Sequence, residues 1–535
     1  MIHFVPSWSD RTFRPTDFDD TVHQIKIFKK GNLPLELMLT RYSPNLLSAL
    51  HSQGLLEVPT WSVFDDIQNT HIDGIRPLSF YDFNWPDGID KIYTPFHIVV
   101  NLSGKEIGRV YFSEEGRITK IERYRFKQLV RTFLIDDRGF VSSIIHYLDG
   151  QINFQDYLDP AGNLRIRQNF KNNQDNIYVN PLFANDFQAS SYKNLDQLVL
   201  EFTRIHLLKN DLPDDLIILA AQSKQNQLIF KALDKQRIVL SYFSNRYDFQ
   251  DQNQSNVKNE LLKSSGLIVD QKSNYQKLEK FINENFSREN KTLLIKKIHE
   301  LTPYDTRLQL GFSQRERKLT IYWVAKKINN DFSKKIFYTF FSKMVDDENI
   351  DLIIAVNEID KSILESMIIR KISDHFKVVL PSNDYEMKQS ISQSDENQPF
   401  DDEADQLNSD NFKMAIAFYQ RFQIKIFFSE ESIIASMKKV RLIVDLSREA
   451  DLFIQIAGIS AGIPQINFNE SQYVNDQKNG LIISNLNDLS KAIDYYFVGL
   501  KHWNQSLVYS VKKMEQYTNF NLLNRWLNAL GEQHE

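Results

Sequence analysis

The sequence predicts an α/β protein with two Rossmann-like domains, an antiparallel β-rich insert in the first of them, and a long C-terminal helix. Three patterns support this class: continuous apolar runs typical of buried parallel strands, short alternating runs separated by Asp/Gly turns, and a late apolar stripe at helical spacing. At 535 residues the chain is too long for one ordinary domain. Its 42% hydrophobic residues supply apolar material for several cores.

The first Rossmann-like domain is predicted to be discontinuous, over residues 1–50 and 175–303. A short apolar strand opens it at residues 2–5, and the spacing of leucines over residues 35–39 predicts a helix. Further continuous apolar runs predict its parallel strands. They lie at residues 216–220, 237–243 and 267–270.

Residues 51–174 are predicted to form the β-rich insert. Short alternating runs follow one another at intervals of about ten residues, and Asp/Gly turns separate them. Such turns end at Gly116, Gly139, Gly150 and Gly162. Because consecutive strands joined by tight turns pair antiparallel, the pattern predicts a meander. Because strand edges can be extended by another chain, the meander near residues 95–170, or the cleft beside it, is a predicted docking site for a partner protein or an extended substrate. The alternative is that the meander only supports the first Rossmann-like domain.

The second Rossmann-like domain is predicted over residues 304–488, followed by a helical segment at 489–535 that packs back on both domains. The apolar stripe from Leu489 to Met514 advances in steps of three and four, as one face of a helix does. An acidic stretch at 392–410 predicts a mobile loop. Apolar runs predict strands at residues 308–311, 319–324, 352–356, 376–380, 442–445 and 464–468.

Composition excludes several functional classes. The formal net charge of −5 argues against a surface built for nucleic acid, and the absence of cysteine excludes disulfides and thiolate metal sites. The eleven histidines are dispersed, so no metal site is predicted. Neither a signal peptide nor a membrane-spanning apolar run of about 18 residues is found. We therefore expect a cytoplasmic protein without cofactor.

The predicted architecture is that of GT-B glycosyltransferases, and one stretch resembles their donor site. Many retaining GT-B enzymes have a Glu, seven residues, and a second Glu followed by A-L-A-x-G-x-P-V-I, in which the second Glu binds the donor ribose. Glu449 stands at the first position, but Ala457 replaces the second, and alanine cannot accept a hydroxyl hydrogen bond. The sequence therefore predicts no catalytic residue and a degenerate donor cleft. Its residues are Glu449, Ala457, Gly458, Ser460, Gly462, Pro464, Asn479 and Gly480.

Other motifs favour structural roles. Residues 458–462 fit the G-x-S-x-G of hydrolases, with Asp476 and His502 downstream, but Pro464 and a strand follow where an elbow needs a helix. Asp17 and Asp19 fit a D-x-D metal motif, yet they occupy a polar loop and indicate turn acids. The basic group Arg315, Arg317 and Lys318 fits a diphosphate clamp less well than a solvated hairpin turn.

Three stretches, at residues 4–8, 134–160 and 451–466, together resemble the first accessory secretory protein of the accessory Sec system of streptococci and staphylococci. The resemblance implies a GT-B-shaped, catalytically inactive protein that works with the second and third accessory secretory proteins. Their complex would deliver a serine-rich-repeat glycoprotein adhesin to a dedicated Sec ATPase motor, at the inner face of the membrane. Direct recognition of N-acetylglucosamine on the adhesin is left open.

Two alternatives remain at this point. The first is an active GT-B glycosyltransferase that adds N-acetylglucosamine or glucose to such an adhesin through other donor contacts. The second is a sugar-binding or polypeptide-binding chaperone, which overlaps with the export function. Titration with nucleotide sugars separates the enzyme from the binding proteins.

Overall fold

A computed structural model describes the chain over most of its length. The described residues are 1–8, 18–70, 76–113, 115–170, 175–209, 215–233, 236–250, 253–307, 310–381, 403–426 and 429–531. The chain divides into two units. The first comprises Met1–Asp270, Asn274–Pro303 and Arg525–Glu535, and the second comprises Gln271–Ser273 and Tyr304–Asn524.

The strands and helices are numbered here in chain order. The strands are β1 (Ile2–Val5), β2 (Leu35–Leu39), β3 (Thr60–Ser62), β4 (Ile89–Tyr93), β5 (His97–Leu102), β6 (Lys105–Phe112), β7 (Ile118–Arg125), β8 (Gln128–Asp136), β9 (Phe140–Leu148), β10 (Gln151–Leu158), β11 (Leu164–Asn169), β12 (Ile177–Val179), β13 (Ser191–Tyr192), β14 (Leu216–Ala220), β15 (Arg237–Tyr242), β16 (Gly266–Val269), β17 (Ile298–Glu300), β18 (Leu319–Ala325), β19 (Ile350–Val356), β20 (Phe422–Ile426), β21 (Val440–Asp445), β22 (Gln465–Asn467) and β23 (Gly480–Ile482). The helices are α1 (Asp20–Lys30), α2 (Leu46–Ser52), α3 (Val63–Ile67), α4 (Leu195–Lys209), α5 (Ser223–Ala232), α6 (Gln254–Lys263), α7 (Lys272–Asn285), α8 (Arg288–Lys296), α9 (Asp331–Asp346), α10 (Lys361–Phe376), α11 (Glu403–Tyr419), α12 (Glu430–Met437), α13 (Leu452–Ala461), α14 (Leu489–Phe497), α15 (Lys501–Gln516) and α16 (Asn519–Leu530).

The first unit contains a parallel sheet whose strand order is β17-β16-β15-β14-β1-β2-β3. In its centre, Phe4 pairs with Ile218 of β14 and with Leu37 of β2, all in parallel register. All five side chains of β14 are buried. A strand of this kind needs apolar residues on both faces because helices cover both sides of a parallel sheet.

The second unit contains another parallel sheet, with the order β20-β19-β18-β21-β22-β23. Its central strand β18 pairs with β19 on one side and with β21 on the other. The order turns back between β18 and β21, which is the switch point where ligands of doubly wound sheets usually bind. Both predicted Rossmann-like sheets are therefore confirmed.

Ten described strands, β4 to β13, form one antiparallel sheet in which each strand pairs with the next, and we call this sheet the meander. It covers residues 89–192, whereas the predicted insert was 51–174. The difference has two causes. Strand β3 pairs with β2 in the parallel sheet, and β12 and β13 continue the antiparallel pairing beyond residue 174.

Local predictions were wrong at several positions. Residues 35–39, predicted to be helical, form strand β2, whose apolar side chains are buried between β1 and β3. Residues 376–380 were predicted as a strand, but Phe376 is the last residue of helix α10 and the remaining residues follow it. The C-cap Lys377 has a left-handed backbone (φ 58°), and Val379 is 92% exposed. The edge strand of this sheet is β20.

The predicted C-terminal helical segment is confirmed and consists of three consecutive helices, α14, α15 and α16. Gly499, with φ +89°, lies between the first two helices, where a right-handed helix cannot continue. The acidic stretch at 392–410 lies outside the described residues up to 402. Its remainder begins helix α11, so the prediction of a loop fails for residues 403–410.

Candidate functional site

The residues predicted to form a degenerate donor cleft lie in the second unit, on and around helix α13. The helix starts at the carboxyl edge of the sheet, where β21 ends at the buried Asp445. The Asp445 carboxylate accepts hydrogen bonds from the backbone N–H groups of Ser447 and Asp451, at 3.0 and 2.7 Å. These bonds hold the loop that leads into the helix.

The N-terminus of α13 is capped by the chain's own carboxylate. Asp451 Oδ1 accepts a hydrogen bond from the Ile454 backbone N–H at 3.2 Å. Burial raises the pKa of Asp451, and the nearby Lys326 opposes that rise. Helix N-termini attract phosphate groups through free N–H groups and the helix dipole. Here a diphosphate would have to displace a carboxylate of its own charge sign.

Glu449 lies beside this N-terminus without reaching the rest of the predicted cleft residues. Its backbone carbonyl accepts a hydrogen bond from Lys326 Nζ at 3.2 Å, and the same ammonium lies 4.0 Å from Asp451 Oδ2. Lys326 follows β18 directly, so it stands at the switch point of the sheet. Its charge is already directed at groups of the chain itself.

Ala457 lies in the middle of α13 and is 9% exposed. The next residue, Gly458, allows the helix to pack closely on β21 and β22. A Cβ atom at that position would lie 2.6 Å from Gln465 Nε2 and 2.7 Å from Ile443 Cδ1. A larger residue at position 458 would therefore require the Gln465 and Ile443 side chains to shift.

Two further glycines of the motif are also required by packing. Gly462 ends α13 in the left-handed conformation (φ +70°), and a Cβ atom there would lie 2.3 Å from Leu507 Cδ1. A Cβ atom at Gly480 would lie 2.5 Å from the Gln465 carbonyl oxygen and 2.5 Å from Val474 Cγ1. Because one obstacle at Gly480 is backbone, relief would require movement of the sheet.

The polar residues of the motif bond to the backbone. Asn479 is fully buried, donates from Nδ2 to the Tyr473 carbonyl at 2.8 Å, and accepts from the Asn475 N–H at 2.9 Å. The Pro464 carbonyl accepts from the Ile443 N–H at 3.1 Å. Gly458, Asn479 and Gly480 thus gather around strand β22, while Glu449 stays at the opposite end of α13.

The alternative motifs do not assemble a site among the described residues. Ser460 lies inside α13, where its hydroxyl accepts from the Arg307 N–H at 3.3 Å, so no strand-to-helix elbow surrounds it. Asp476 accepts from the Ile482 N–H, and His502 stacks on Tyr495 at 3.8 Å. The hydrolase alternative therefore has no geometric support.

The predicted basic and acidic pairs have local roles. Arg315 belongs to the short 3-10 turn Ser313–Arg315 rather than to a hairpin, and Lys318 pairs with Asp351 at 3.2 Å. Asp17 lies outside the described residues. Asp19 is the N-cap of α1 and accepts from the Val22 N–H at 3.0 Å. Groups of three or more possible metal ligands are absent from the described part of the chain.

No sequence pattern indicated the buried ion pair at the carboxyl edge of the first parallel sheet. Asp20 is fully buried, and Arg246 donates to both of its oxygens, at 2.6 and 2.9 Å. Ser241 also donates to Asp20, at 2.9 Å. Burial and the neighbouring Asp20 raise the pKa of Asp19 to about 7. The partners are 226 residues apart, so only the folded chain brings them together.

The meander presents a different kind of surface. Strand β4 is one of its terminal strands, and Ile92 and Tyr93 on it are exposed. Aromatic side chains are also exposed beside the sheet and at a hairpin turn, at Tyr81 and Phe126. Exposed apolar groups of this kind often mark protein contacts. None of the helices in the described ranges is long and apolar enough to cross a membrane.

Comparison with known proteins identifies the relatives of this chain. The family model of the accessory Sec system protein matches residues 1–533. An accessory Sec system protein of Streptococcus gordonii is 35% identical over 99% of both chains. Among solved structures, the glycosylation associate protein (Gap123) complex from Streptococcus agalactiae contains a chain 31% identical, with a TM-score of 0.75 over 99% of this chain and 100% of that one.

Two further structures define the fold. A chain in the crystal structure of accessory secretory protein 1, 2 and 3 from Streptococcus pneumoniae is 28% identical, with a TM-score of 0.75 over 99% of both chains. The pneumococcal O-GlcNAc transferase GtfA, in complex with UDP and GlcNAc, is only 12% identical but has a TM-score of 0.70 over 99% of this chain and 98% of the transferase, which shows a shared GT-B fold. This chain therefore belongs to the family of the first accessory secretory protein of the accessory Sec system, and it has the fold of GT-B glycosyltransferases.

Proposed function

We propose that this chain is a non-catalytic component of an accessory Sec export complex. It assembles with the second and third accessory secretory proteins and helps to deliver a serine-rich-repeat glycoprotein adhesin to the dedicated Sec ATPase motor. Family membership supports the export role, and the complexes named for its relatives support the assembly. The loss of donor chemistry supports the non-catalytic part.

The observation that carries the non-catalytic proposal is the state of helix α13. Ala457 has no oxygen to accept a bond from a donor ribose, and a buried site that leaves such a bond unmade binds weakly. The Asp451 carboxylate already caps the helix N-terminus, where GT-B enzymes bind the donor diphosphate. Both donor contacts are therefore missing at once.

Calorimetric titration of the purified chain with UDP-N-acetylglucosamine and UDP-glucose tests this proposal. We expect no saturable heat and no release of UDP, while the transferase GtfA under the same conditions gives both. The matched variant is Glu449→Ala. Turnover by the parent chain that disappears in this variant would establish the rival function, an active glycosyltransferase.

The partner proposal is tested by expressing the full chain together with the second and third accessory secretory proteins. We expect all three to elute as one complex whose mass is measured by light scattering, and separate elution would contradict the proposal. Deleting the whole meander is unsuitable as a test. Tyr157, Ile166 and Ile177 on its strands belong to the core of the first unit.

The proposed location of the complex is the cytoplasm, with recruitment to the inner face of the membrane through the export motor. Cell fractionation with and without the motor gene tests the recruitment. We expect the chain to shift from the membrane fraction to the soluble fraction when the motor is absent. An unchanged distribution would contradict recruitment through the motor.

A further inference from the structure

A cavity of about 720 Å³ opens on one face of the meander, over strands β7 and β8. Three arginines line it, Arg123, Arg125 and Arg131, together with the rings of Phe83 and Phe133. All of these residues lie in the first unit. The cavity thus combines several guanidinium groups with flat apolar walls.

Two of the three arginines lie directly opposite each other on neighbouring strands. Arg123 of β7 is the direct cross-strand partner of Arg131 of β8. Like charges directly opposite each other destabilise a sheet. The ion pairs of the neighbouring strands involve Arg109, Lys120 and Arg167, and in the described ranges none involves the three cavity arginines.

Arg123 is held in place by its surroundings. Its guanidinium lies 3.4 Å from the centre of the Trp85 ring, and it donates to the Asn84 carbonyl at 3.3 Å. The side chain is half-buried, and this burial lowers its pKa. A guanidinium fixed against an aromatic ring presents its remaining N–H groups in a defined direction, which suits a carboxylate.

Asp82 is the one acidic residue among the described residues that line the cavity, and it already has a partner. Its carboxylate accepts from the Ser79 backbone N–H at 2.6 Å, which closes the capping box of a short 3-10 turn. This bond lowers the pKa of Asp82. Three positive charges against one exposed negative charge leave the cavity cationic.

The neighbourhood of the cavity resembles a protein-binding surface. Tyr81 beside Asp82 is 81% exposed, and Phe126 beside Arg125 is 87% exposed. Aromatic residues and arginine are the types that contribute most to protein interfaces. The cavity is also larger than a single oxyanion needs, so a side chain can enter it together with part of its backbone.

We propose that this cavity binds the carboxylates of an acidic segment in a protein partner of the chain. The inference rests on the proposed function, because it assigns a chemistry to one contact of that assembly. The three guanidiniums receive the Asp or Glu side chains, and Tyr81 and Phe126 contact the same segment on either side. The repulsion between Arg123 and Arg131 is relieved when the carboxylates enter.

The test compares two double variants of the full chain. Arg125→Gln/Arg131→Gln removes two exposed cavity charges and keeps Arg123 on Trp85. The control Lys105→Gln/Arg117→Gln removes the same charge from the same sheet outside the cavity. Each protein is titrated with the complex of the second and third accessory secretory proteins, and with a short labelled peptide of alternating Glu and Ser.

We expect the cavity variant to bind both probes at least about tenfold more weakly, and the control variant to bind within about twofold of the parent. Replacing Glu by Gln in the peptide should abolish its binding. Unchanged affinity of the cavity variant for the protein complex would overturn the inference and leave the proposed function intact. Failure of the parent chain to bind the complex would instead contradict the proposed function.

Inorganic phosphate serves as a competitor to separate a protein contact from a small-anion site. We expect phosphate to weaken peptide binding only at the concentrations at which the same ionic strength of sodium chloride does so. Displacement of the peptide by far lower phosphate concentrations, without any effect on the protein complex, would overturn the inference.

Discussion

The carboxyl edges of the two parallel sheets and the face of the meander differ in how their charges are paired. At the sheet edges, Asp20 is paired with Arg246, and Asp445 and Asp451 accept bonds from backbone N–H groups. On the meander, Arg123 and Arg131 lie directly opposite each other, and neither forms an ion pair in the described part of the chain. The edges correspond to the ligand-binding region of doubly wound folds, yet these three carboxylates are bonded within the chain.

This difference separates stability from binding. A polar group bonded within its own fold has little left to offer a ligand, whereas clustered like charges are stabilised when a counter-charged partner arrives. The motif that most resembles a functional site thus maintains packing. The meander arginines, which are best placed to bind an anionic partner, belong to no recognised sequence motif. The predictions below test each side of this contrast.

The largest expected effect is at the buried ion pair. Asp20→Asn removes the carboxylate that accepts two hydrogen bonds from the Arg246 guanidinium, which should lower the free energy of unfolding by about 3 kcal/mol. Urea unfolding followed by tryptophan fluorescence measures the change. Glu57→Gln is the control, because its pair with Lys29 is exposed and should matter little. Equal effects of both substitutions would contradict the pairing described for the sheet edge.

The second effect concerns the motif glycines. Gly480→Ala places a Cβ atom against the Gln465 carbonyl oxygen, so the free energy of unfolding should fall by about 2 kcal/mol. Ser484→Ala is a nearby exposed control that adds no bulk. Thermal melting of both variants gives the comparison. If Gly480→Ala melts like the parent chain, the packing role of the motif is wrong.

The third effect depends on pH. In the folded chain the pKa of Asp19 is about 7, whereas the ordinary value for an aspartate, taken for the unfolded chain, is 3.8. Between these two pH values the folded state therefore binds one proton more than the unfolded state. The contribution of this group to stability therefore falls as pH rises from about 4 to 7. Asp19→Asn keeps a capping side chain and removes the titration. Between pH 4 and pH 7, the free energy of unfolding of this variant should rise by about 1 kcal/mol or more relative to that of the parent chain.

Denaturant unfolding at pH 4.5 and pH 8, for parent and variant, measures the third effect. The variant should show a smaller loss of stability at the higher pH. Parallel behaviour of the two proteins would mean that Asp19 does not hold its proton in the folded state.

The smallest effect is expected on the meander. Arg125→Gln/Arg131→Gln removes exposed charges that have no ion pair in the described part of the chain, so stability should change by less than about 0.5 kcal/mol. We expect the free energy of unfolding to rise slightly, because the repulsion between Arg123 and the residue opposite it is reduced. Thermal melting at low salt measures it. A loss of several kcal/mol would show that these arginines stabilise the fold.

The fold was predictable where local sequence determines it. Continuous apolar runs identified strands such as β14, and turns ending in glycine identified the meander hairpins. Failures occurred where neighbours far along the chain decide the structure. Residues 35–39 are a strand because they insert between β1 and β3, and no local pattern indicates those partners.

The candidate sites were predictable to a smaller extent. Ala457 could be interpreted from the motif alone, but the close contact between Gly458 and Gln465 depends on how α13 packs. Arg123 and Arg125 are two residues apart on β7, and a turn at Phe126 leads into the neighbouring strand β8. This spacing could have indicated a cluster of arginines on one face of the hairpin. That these arginines form no ion pair in the described part of the chain could be seen only in the folded structure.

The most direct test of the contrast between the two regions is the affinity of the partner complex for one variant from each. The meander variant is Arg125→Gln/Arg131→Gln, and the sheet-edge variant is Lys326→Gln/Glu449→Gln. We predict that the meander variant binds the second and third accessory secretory proteins at least about tenfold more weakly, while the sheet-edge variant binds like the parent. Weakened binding by the sheet-edge variant alone would contradict the account.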